Sequence, residues 1–232
     1  MKTILRKFSQ LRSLATVSSL AVAVLTHGGA NDCLFGKDGQ ICRGQPVEGT
    51  FITKMDIIHI FKGSVCRAMK DKPKLFILQA CRGEEENPVG EGETGASSGA
   101  AGLSNERPPH NFRQDAGPEN VAPTSSIQTR SRSPLVGRTG AVADTSDMCF
   151  VHSSSYGYKA YRTRNLGSPF IAIFTEKVRQ LARYEEFKEI IRKVQKHFNK
   201  GPLSNNKMTL PDFSVQLVNQ WFLNPPRWAN TL

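Results

Sequence analysis

The stretch Lys74 to Gly83, KLFILQACRG, decides how the rest of the chain is read. Pro73 launches it, and Leu75 to Leu78 form an uninterrupted apolar run, as expected of a strand buried on both faces. The run stops at Gln79-Ala80-Cys81-Arg82-Gly83, so a thiol follows directly on a strand end. Strand ends are where α/β sheets carry their chemistry. Upstream, Thr53 to Phe61 (TKMDIIHIF) predicts a helix capped by Thr53 with Asp56 three residues on. A helix leading into a buried strand is the rhythm of a βαβ unit.

Further upstream, Ser19 to Thr26 (SLAVAVLT) predicts a second buried strand, bounded by His27-Gly28-Gly29. Before it, Ile4, Leu5, Phe8 and Leu11 recur at helical spacing over Met1 to Leu14. The same region admits a targeting signal, because Lys2, Arg6, Lys7 and Arg12 precede the apolar run Leu14 to Thr26. Between the strands, Gly36-Lys37-Asp38-Gly39 predicts a small hairpin after Leu34 and Phe35.

Downstream of Gly83 the composition changes. From Glu84 to about Val142, Gly, Ser, Pro, Glu and Arg dominate without apolar period, which predicts a long exposed linker with a functional or cleavable role. The expected division is therefore residues 1–83, a linker 84–144, and residues 145–232. The last part opens with a buried strand, Met148 to Ser153. Ser168-Pro169 starts a helix carrying Phe170, Ile171, Phe174, Val178 and Leu181. A second helix carries Phe187, Ile190, Ile191, Val194 and Phe198 and stops at Asn199-Lys200-Gly201. Phe213 to Leu223 predicts a final strand.

Composition excludes several classes. With 232 residues and 38% hydrophobic content the chain suits one compact α/β domain with tails. No run of about 20 apolar residues exists to span a membrane, and the mixed composition excludes collagen-like and coiled-coil chains. The net charge of +11 permits attraction to nucleic acid, anionic lipid or acidic substrates. It reads as a solvated face, so neither a specific nucleic-acid partner nor a membrane is expected. Five cysteines without a CxxC pair fit a reducing, cytoplasmic setting better than a disulfide framework or a zinc site. No metal and no cofactor are expected.

Cys81 is the candidate for chemistry. A free thiol has a pKa of roughly 8.5 and needs a neighbouring imidazole to supply thiolate at neutral pH. His27 stands 54 residues before it, also directly after a predicted strand, and two parallel strand ends bring such residues together. A lone cysteine after a strand is ordinarily inert packing and a lone histidine an ordinary loop residue; the Gln79-Ala80-Cys81-Arg82-Gly83 context outweighs the first reading, and the spacing and His27-Gly28 pair the second. Ile41-Cys42-Arg43-Gly44 imitates the motif, but it lacks a preceding buried strand and Cys42 lies only 15 residues from His27. Cys33, Cys42, Cys66 and Cys149 read as structural or free thiols, and His59, His110, His152 and His197 as ordinary.

The sequence resembles the caspases, cysteine proteases that cut after aspartate. LTHGG resembles the family's histidine motif, FGKDGQ its following hairpin, KPKLFILQACRGEE its nucleophile segment and GYKAYRTRNLGSPFI the start of its small subunit. The resemblance implies a caspase-like α/β three-layer sandwich, with a mostly parallel central sheet and helices on both faces. It implies a zymogen acting in regulated cell death, with His27 and Cys81 catalytic and Gly28 and Cys81 supplying the oxyanion hole. Gln79 and Arg162 match two of three residues of the aspartate pocket, and Tyr158 and Tyr161 wall the neighbouring one, where Tyr161 replaces the usual tryptophan. The third pocket residue, an arginine on a strand and helix preceding the part matched here, has no counterpart upstream of His27, since Arg6 and Arg12 fall on the predicted helix.

The expected partners are proteins with an exposed aspartate and a second copy pairing through the C-terminal strand. The alternatives are a catalytically impaired partner of an active caspase and, more distantly, a secreted basic protein with a cleaved leader. Maturation by cleavage is expected after Asp144, which ends Val142-Ala143-Asp144, with Asp115 as a second site.

Overall fold

Four strands of this computed structural model lie side by side, and their register sets the position of everything that follows. The structure describes residues 1–42, 45–88, 143–163, 165, 167–201, 203 and 207–224. In chain order the elements are α1 (Lys2–Ser9), β1 (Leu20–Leu25), β2 (Gly28–Gly29), β3 (Cys33–Phe35), β4 (Ile41–Cys42), β5 (Gln45–Pro46), β6 (Phe51–Thr53), α2 (Lys54–Phe61), β7 (Lys74–Gln79), β8 (Met148–His152), α3 (Pro169–Leu181), α4 (Phe187–Phe198) and β9 (Asp212–Val215). Single 3-10 turns stand at Arg12–Thr16, Ala30–Asp32 and Arg67–Met69.

The main sheet has the order β1-β7-β8-β9. The first three strands are parallel and β9 is antiparallel. Side chains alternate across it. Phe76 and Leu78 of β7 pack with Leu20, Val24 and Phe150 against Leu5 of α1 and Ile57, Ile60 and Phe61 of α2. On the other face Leu75, Cys149 and Val151 meet Phe170 and Phe174 of α3 and Phe187, Ile191, Val194 and Phe198 of α4. Burying each such side chain stabilises the fold by about 1.5–3 kcal/mol. Rings run through the first layer, with centroids 5.2 Å apart for Phe61–Phe76 and 4.8 Å for Phe76–Phe150. The expected α/β sandwich with helices on both faces is therefore present.

Local signals act as expected at two helix starts. Thr53 Oγ1 accepts from the Asp56 N–H at 3.2 Å while Asp56 Oδ2 accepts from the Thr53 N–H at 3.0 Å, a complete capping box. Ser168 Oγ accepts from the Ile171 N–H at 3.2 Å, with Pro169 as the first helical residue.

Three expectations need correction. β1 is not buried on both faces: Ala21 and Ala23 are exposed and Leu25 is 57% exposed. Among the described residues β1 pairs only with β7, and the α3–α4 layer packs against β7, β8 and β9. The helix expected over Met1 to Leu14 ends at Ser9, whose hydroxyl donates to the Arg6 carbonyl, and Leu11 is extended. The last strand stops at Val215 rather than Leu223, because its partner β8 begins only at Met148; beyond it the Val218 N–H turns to the Asp147 carboxylate at 3.1 Å. Residues 2–25, which also admit the targeting-signal reading, build α1 and β1 here.

Candidate active site

The site follows from the β1–β7 register. Leu25 pairs with Gln79, and His27 and Cys81 each lie two residues past that pair. The Thr26 N–H donates to the Gln79 carbonyl at 3.0 Å, extending the ladder to the brink of the loop. Immediately beyond, Gly28 is pressed on the nucleophile segment. A Cβ there would overlap the Cys81 carbonyl oxygen and stand 2.8 Å from both the Ala80 Cβ and the Cys33 oxygen. Only glycine permits that approach. His27 is exposed and Cys81 partly buried.

No hydrogen bond joins the two groups; both meet one segment of the C-terminal part. Cys81 Sγ accepts from the Ala160 N–H at 3.4 Å and lies 3.7 Å from the Ala160 carbonyl. Two residues on, Arg162 Nη2 stands 3.3 Å from His27 Nε2. A guanidinium can only donate, so this contact is a hydrogen bond in the tautomer whose Nε2 accepts. Ala160 and Arg162 thus reach the thiol and the imidazole from alternate positions of one chain segment. Tyr161, between them, buries a hydroxyl that has no hydrogen-bond partner among the described residues. Burial, helped by the Glu86 carboxylate, pushes its phenol above the usual range. Lys207 lies 5.6 Å over its ring and grips Glu86 with 2.6 Å contacts to both oxygens.

The other expected site residues are placed as follows. Gln79 is buried, and its Oε1 accepts from the Ser168 hydroxyl that also caps α3. Tyr158 joins the nucleophile loop through its backbone: its carbonyl accepts from the Arg82 N–H at 3.0 Å. Asp115 lies outside the described residues. Asp144 lies far from Cys81, near the start of β7. Its carboxylate accepts from the Ser64 N–H at 2.5 Å and the Ser64 hydroxyl at 2.7 Å. Those Ser64 bonds, with Lys62 behind them, hold its carboxyl below the usual range.

Sequence reasoning missed the support behind the thiol. Arg82, 7% exposed, donates from Nε to Asp32 Oδ1 at 2.6 Å and from Nη1 to Asp212 Oδ2 at 2.6 Å, with the Ser154 carbonyl at 3.3 Å. Gly83 is locked behind it, because a Cβ there would overlap the Gly157 carbonyl. Asn31 and Asp32 hold left-handed φ values of 58° and 56° to bring the first carboxylate in. Burial raises the Asp212 carboxyl, but the Arg82 hydrogen bond and charge, with smaller help from His152 and the Phe213 N–H, together outweigh it and the net shift is downward.

His152 lies beneath, 3% exposed, with its Nε2 unpartnered among the described residues. Burial, and then the Arg82 charge, lower it to about 4. The only signal for any of this in the sequence was the arginine next to the cysteine. Its partners lie 50 and 130 residues away.

The caspase-domain model of the Peptidase_C14 family matches residues 1–220. The chain belongs to the caspase family. It is 26% identical to Caspase-3 of Mesocricetus auratus over 179 residues, covering 77% of this chain and 47% of that protein. It is 33% identical to Caspase-2 of Gallus gallus over 85 residues, covering 37% of this chain and 18% of that protein. The chain therefore spans about half the length of the Caspase-3 relative. The crystal structure of Caspase-1 from Spodoptera frugiperda superposes with a TM-score of 0.66 at 18% identity, over 97% of this chain and 70% of that one. That likeness bears out the caspase-like α/β fold.

Proposed function

We propose that this caspase-family chain is an endopeptidase that cuts peptide bonds after aspartate, with Cys81 as nucleophile and His27 as general acid and base. The observation that carries this reading is the register of β1 and β7, from whose paired ends His27 and Cys81 each follow by two residues at the carboxyl edge of the sheet. In the reaction the Cys81 sulfur adds to the carbonyl carbon of the aspartyl residue, and the N–H groups of Gly28 and Cys81 receive the developing oxyanion. His27 passes a proton to the leaving amine, and water then hydrolyses the thioester through the same imidazole. For this to occur Ala160 must release the thiol, and Arg162 must swing from His27 to the substrate carboxylate, which suits a guanidinium. Gln79 would support that pocket.

Arg162 is the one guanidinium we assign to the pocket. Removing it, as in Arg162→Ala, costs about 2–4 kcal/mol of transition-state binding, so kcat/KM should fall by about 30- to 1000-fold. The rival reading, a non-catalytic partner of an active caspase, is favoured by the engagement of Gln79 with Ser168 and of Arg162 with His27. In either reading the chain acts in the cytoplasm, in regulated cell death. In the catalytic reading it is made as a zymogen cut after Asp144, with Asp115 as a second site, and pairs with a second copy along β9; in the rival reading the same strand pairs with the active caspase.

An electrophilic aspartyl ketone tests the catalytic reading. The wild type should gain one adduct by intact mass and Cys81→Ala none, and the same substitution should lower turnover by several orders of magnitude. Equal modification of both proteins would overturn the assignment.

A further inference from the structure

At the end of the sheet opposite the thiol, the turn after α2 holds an aspartate from 80 residues away. The Gly63 N–H donates to the Asp144 carbonyl at 2.8 Å. The Ser64 N–H donates to Oδ1 at 2.5 Å, the Ser64 hydroxyl to Oδ2 at 2.7 Å, and Lys62 Nζ stands 3.3 Å from Oδ2. Gly63 is buried against the aspartate: a Cβ there would lie in ordinary van der Waals contact with Asp144 Oδ1, at 3.4 Å. Both carboxylate oxygens and the carbonyl of one residue are thus met by three successive residues of one turn. The turn borders an open cleft of about 360 Å³, which Asp144 shares with Arg67 and Lys70.

The chain around Asp144 is not presented as a protease reads it. An extended strand is what an aspartate-cutting cleft accepts. Here the Ser146 N–H folds back to the Ala143 carbonyl at 2.9 Å, closing a turn across the Asp144–Thr145 bond. Three residues on, Asp147 is fixed: its carbonyl accepts from the Lys74 N–H at 2.8 Å and its N–H donates to the Gln216 carbonyl at 2.9 Å. The bond to be cut is curled, held at its side chain and anchored downstream.

We propose that Lys62-Gly63-Ser64 is a carboxylate-binding site for an aspartyl residue, occupied in the uncut chain by the maturation aspartate itself, and that it withholds the Asp144–Thr145 bond from proteases. The proposal rests on the assignment of Asp144 as the processing site. Cleavage adds one water across the amide, leaving a carboxylate on Asp144 and an ammonium on Thr145. The Gly63 N–H, already on the Asp144 carbonyl oxygen, then meets a charged acceptor, and such bonds are roughly twice as strong as neutral ones. The same turn that delays the cut afterwards holds the new C-terminus and releases the new N-terminus.

The experiment uses the full chain carrying Cys81→Ala, so that no self-cleavage intrudes, with an active caspase added in trans. The initial rate of the fragment beginning at Thr145 is followed by mass and N-terminal sequencing. Parallel arms carry Ser64→Ala, Ser64→Thr and Lys62→Met with Ser64→Ala; a synthetic peptide of residues 139–150 supplies the rate without the turn. The peptide should be cut at least tenfold faster than the folded parent. Ser64→Ala should recover at least fivefold of that difference and the double variant more, while Ser64→Thr, which keeps the hydroxyl, stays slow. Equal rates for the parent and the Ser64→Ala and double variants would overturn the binding site. An uncut peptide would instead remove Asp144 as a processing site and the proposal with it, leaving the ketone test of Cys81 untouched.

Discussion

The two ends of β7 each carry a buried cation, and they neutralise it by different means. At the start, the Lys74 ammonium is 1% exposed and donates to two backbone carbonyls, Met69 O and Lys72 O, each at 2.9 Å. Burial pulls it below the usual lysine range. Past the end, Arg82 meets two carboxylates at 2.6 Å. A cation held by carbonyls from its own neighbourhood closes a strand start and asks nothing of the rest of the fold. One held by carboxylates from two distant elements ties those elements to the residue beside it, which here is Cys81. The end of the strand that carries the thiol is therefore the end whose electrostatics reach across the chain.

Substitution of the two cations should separate these roles. Arg82→Ala leaves Asp32 and Asp212 without their shared partner; with Asp32 18% and Asp212 47% exposed, solvent screening keeps the loss below that of a fully buried pair, at about 2 kcal/mol. Denaturant unfolding should show that loss, together with altered ketone labelling of Cys81. A loss below about 1 kcal/mol would reduce the network to surface decoration.

Acid should act first on the same end of the strand. His152 has its folded pKa lowered to about 4, against an unfolded value near 6.5. The unfolded chain then binds the proton first, so stability present above pH 6.5 is lost progressively between 6.5 and 4, by about 3 kcal/mol in all. The groups facing the imidazole are Arg82 and Lys54, which oppose its charging, and Asp32 and Asp212, which favour it. Lowered carboxyls such as Asp212 and Asp56 add losses only below about pH 4, as pH falls through their folded values. A melting series from pH 7.5 to 4 should show the slope in wild type and a flatter one in His152→Phe. Identical slopes would place the acid sensitivity elsewhere.

The smallest effect belongs to the far end. Lys74→Met removes a buried charge at the cost of two carbonyl acceptors, and the terms should offset to within about 1 kcal/mol. If this variant proved as damaging as Arg82→Ala, the contrast between the two ends would fail.

Much of the sheet was readable because its signals are local. KLFILQ is apolar at every position that a doubly covered strand requires, and Thr53 with Asp56, like Ser168 with Pro169, marks a helix start within four residues. The thiol and the imidazole were legible through their strand ends. What could not be read depends on neighbours distant in sequence. SLAVAVLT has the composition of a buried strand, yet whether a second face is covered depends on where α3 and α4 lie. FSVQLVNQWFL alternates well enough for a long strand, but its ladder ends where β8 has no residue to offer. The Arg82 partners, and the Ser64 hold on Asp144 across 80 residues, exist only once the sheet has formed.

The order of strands in the main sheet has a further consequence. β1 and β7 precede the proposed cut after Asp144, β8 and β9 follow it, and β8 pairs along its length with β7. A cut chain therefore remains one sheet, yet its two pieces are no longer joined through the intervening residues. Reassembly of the two pieces becomes a bimolecular event governed by mass action, and the melting temperature of the cut form depends more steeply on protein concentration than that of the uncut chain. Dilution, which cannot part the two halves of the precursor, becomes a means of switching off the cut protein.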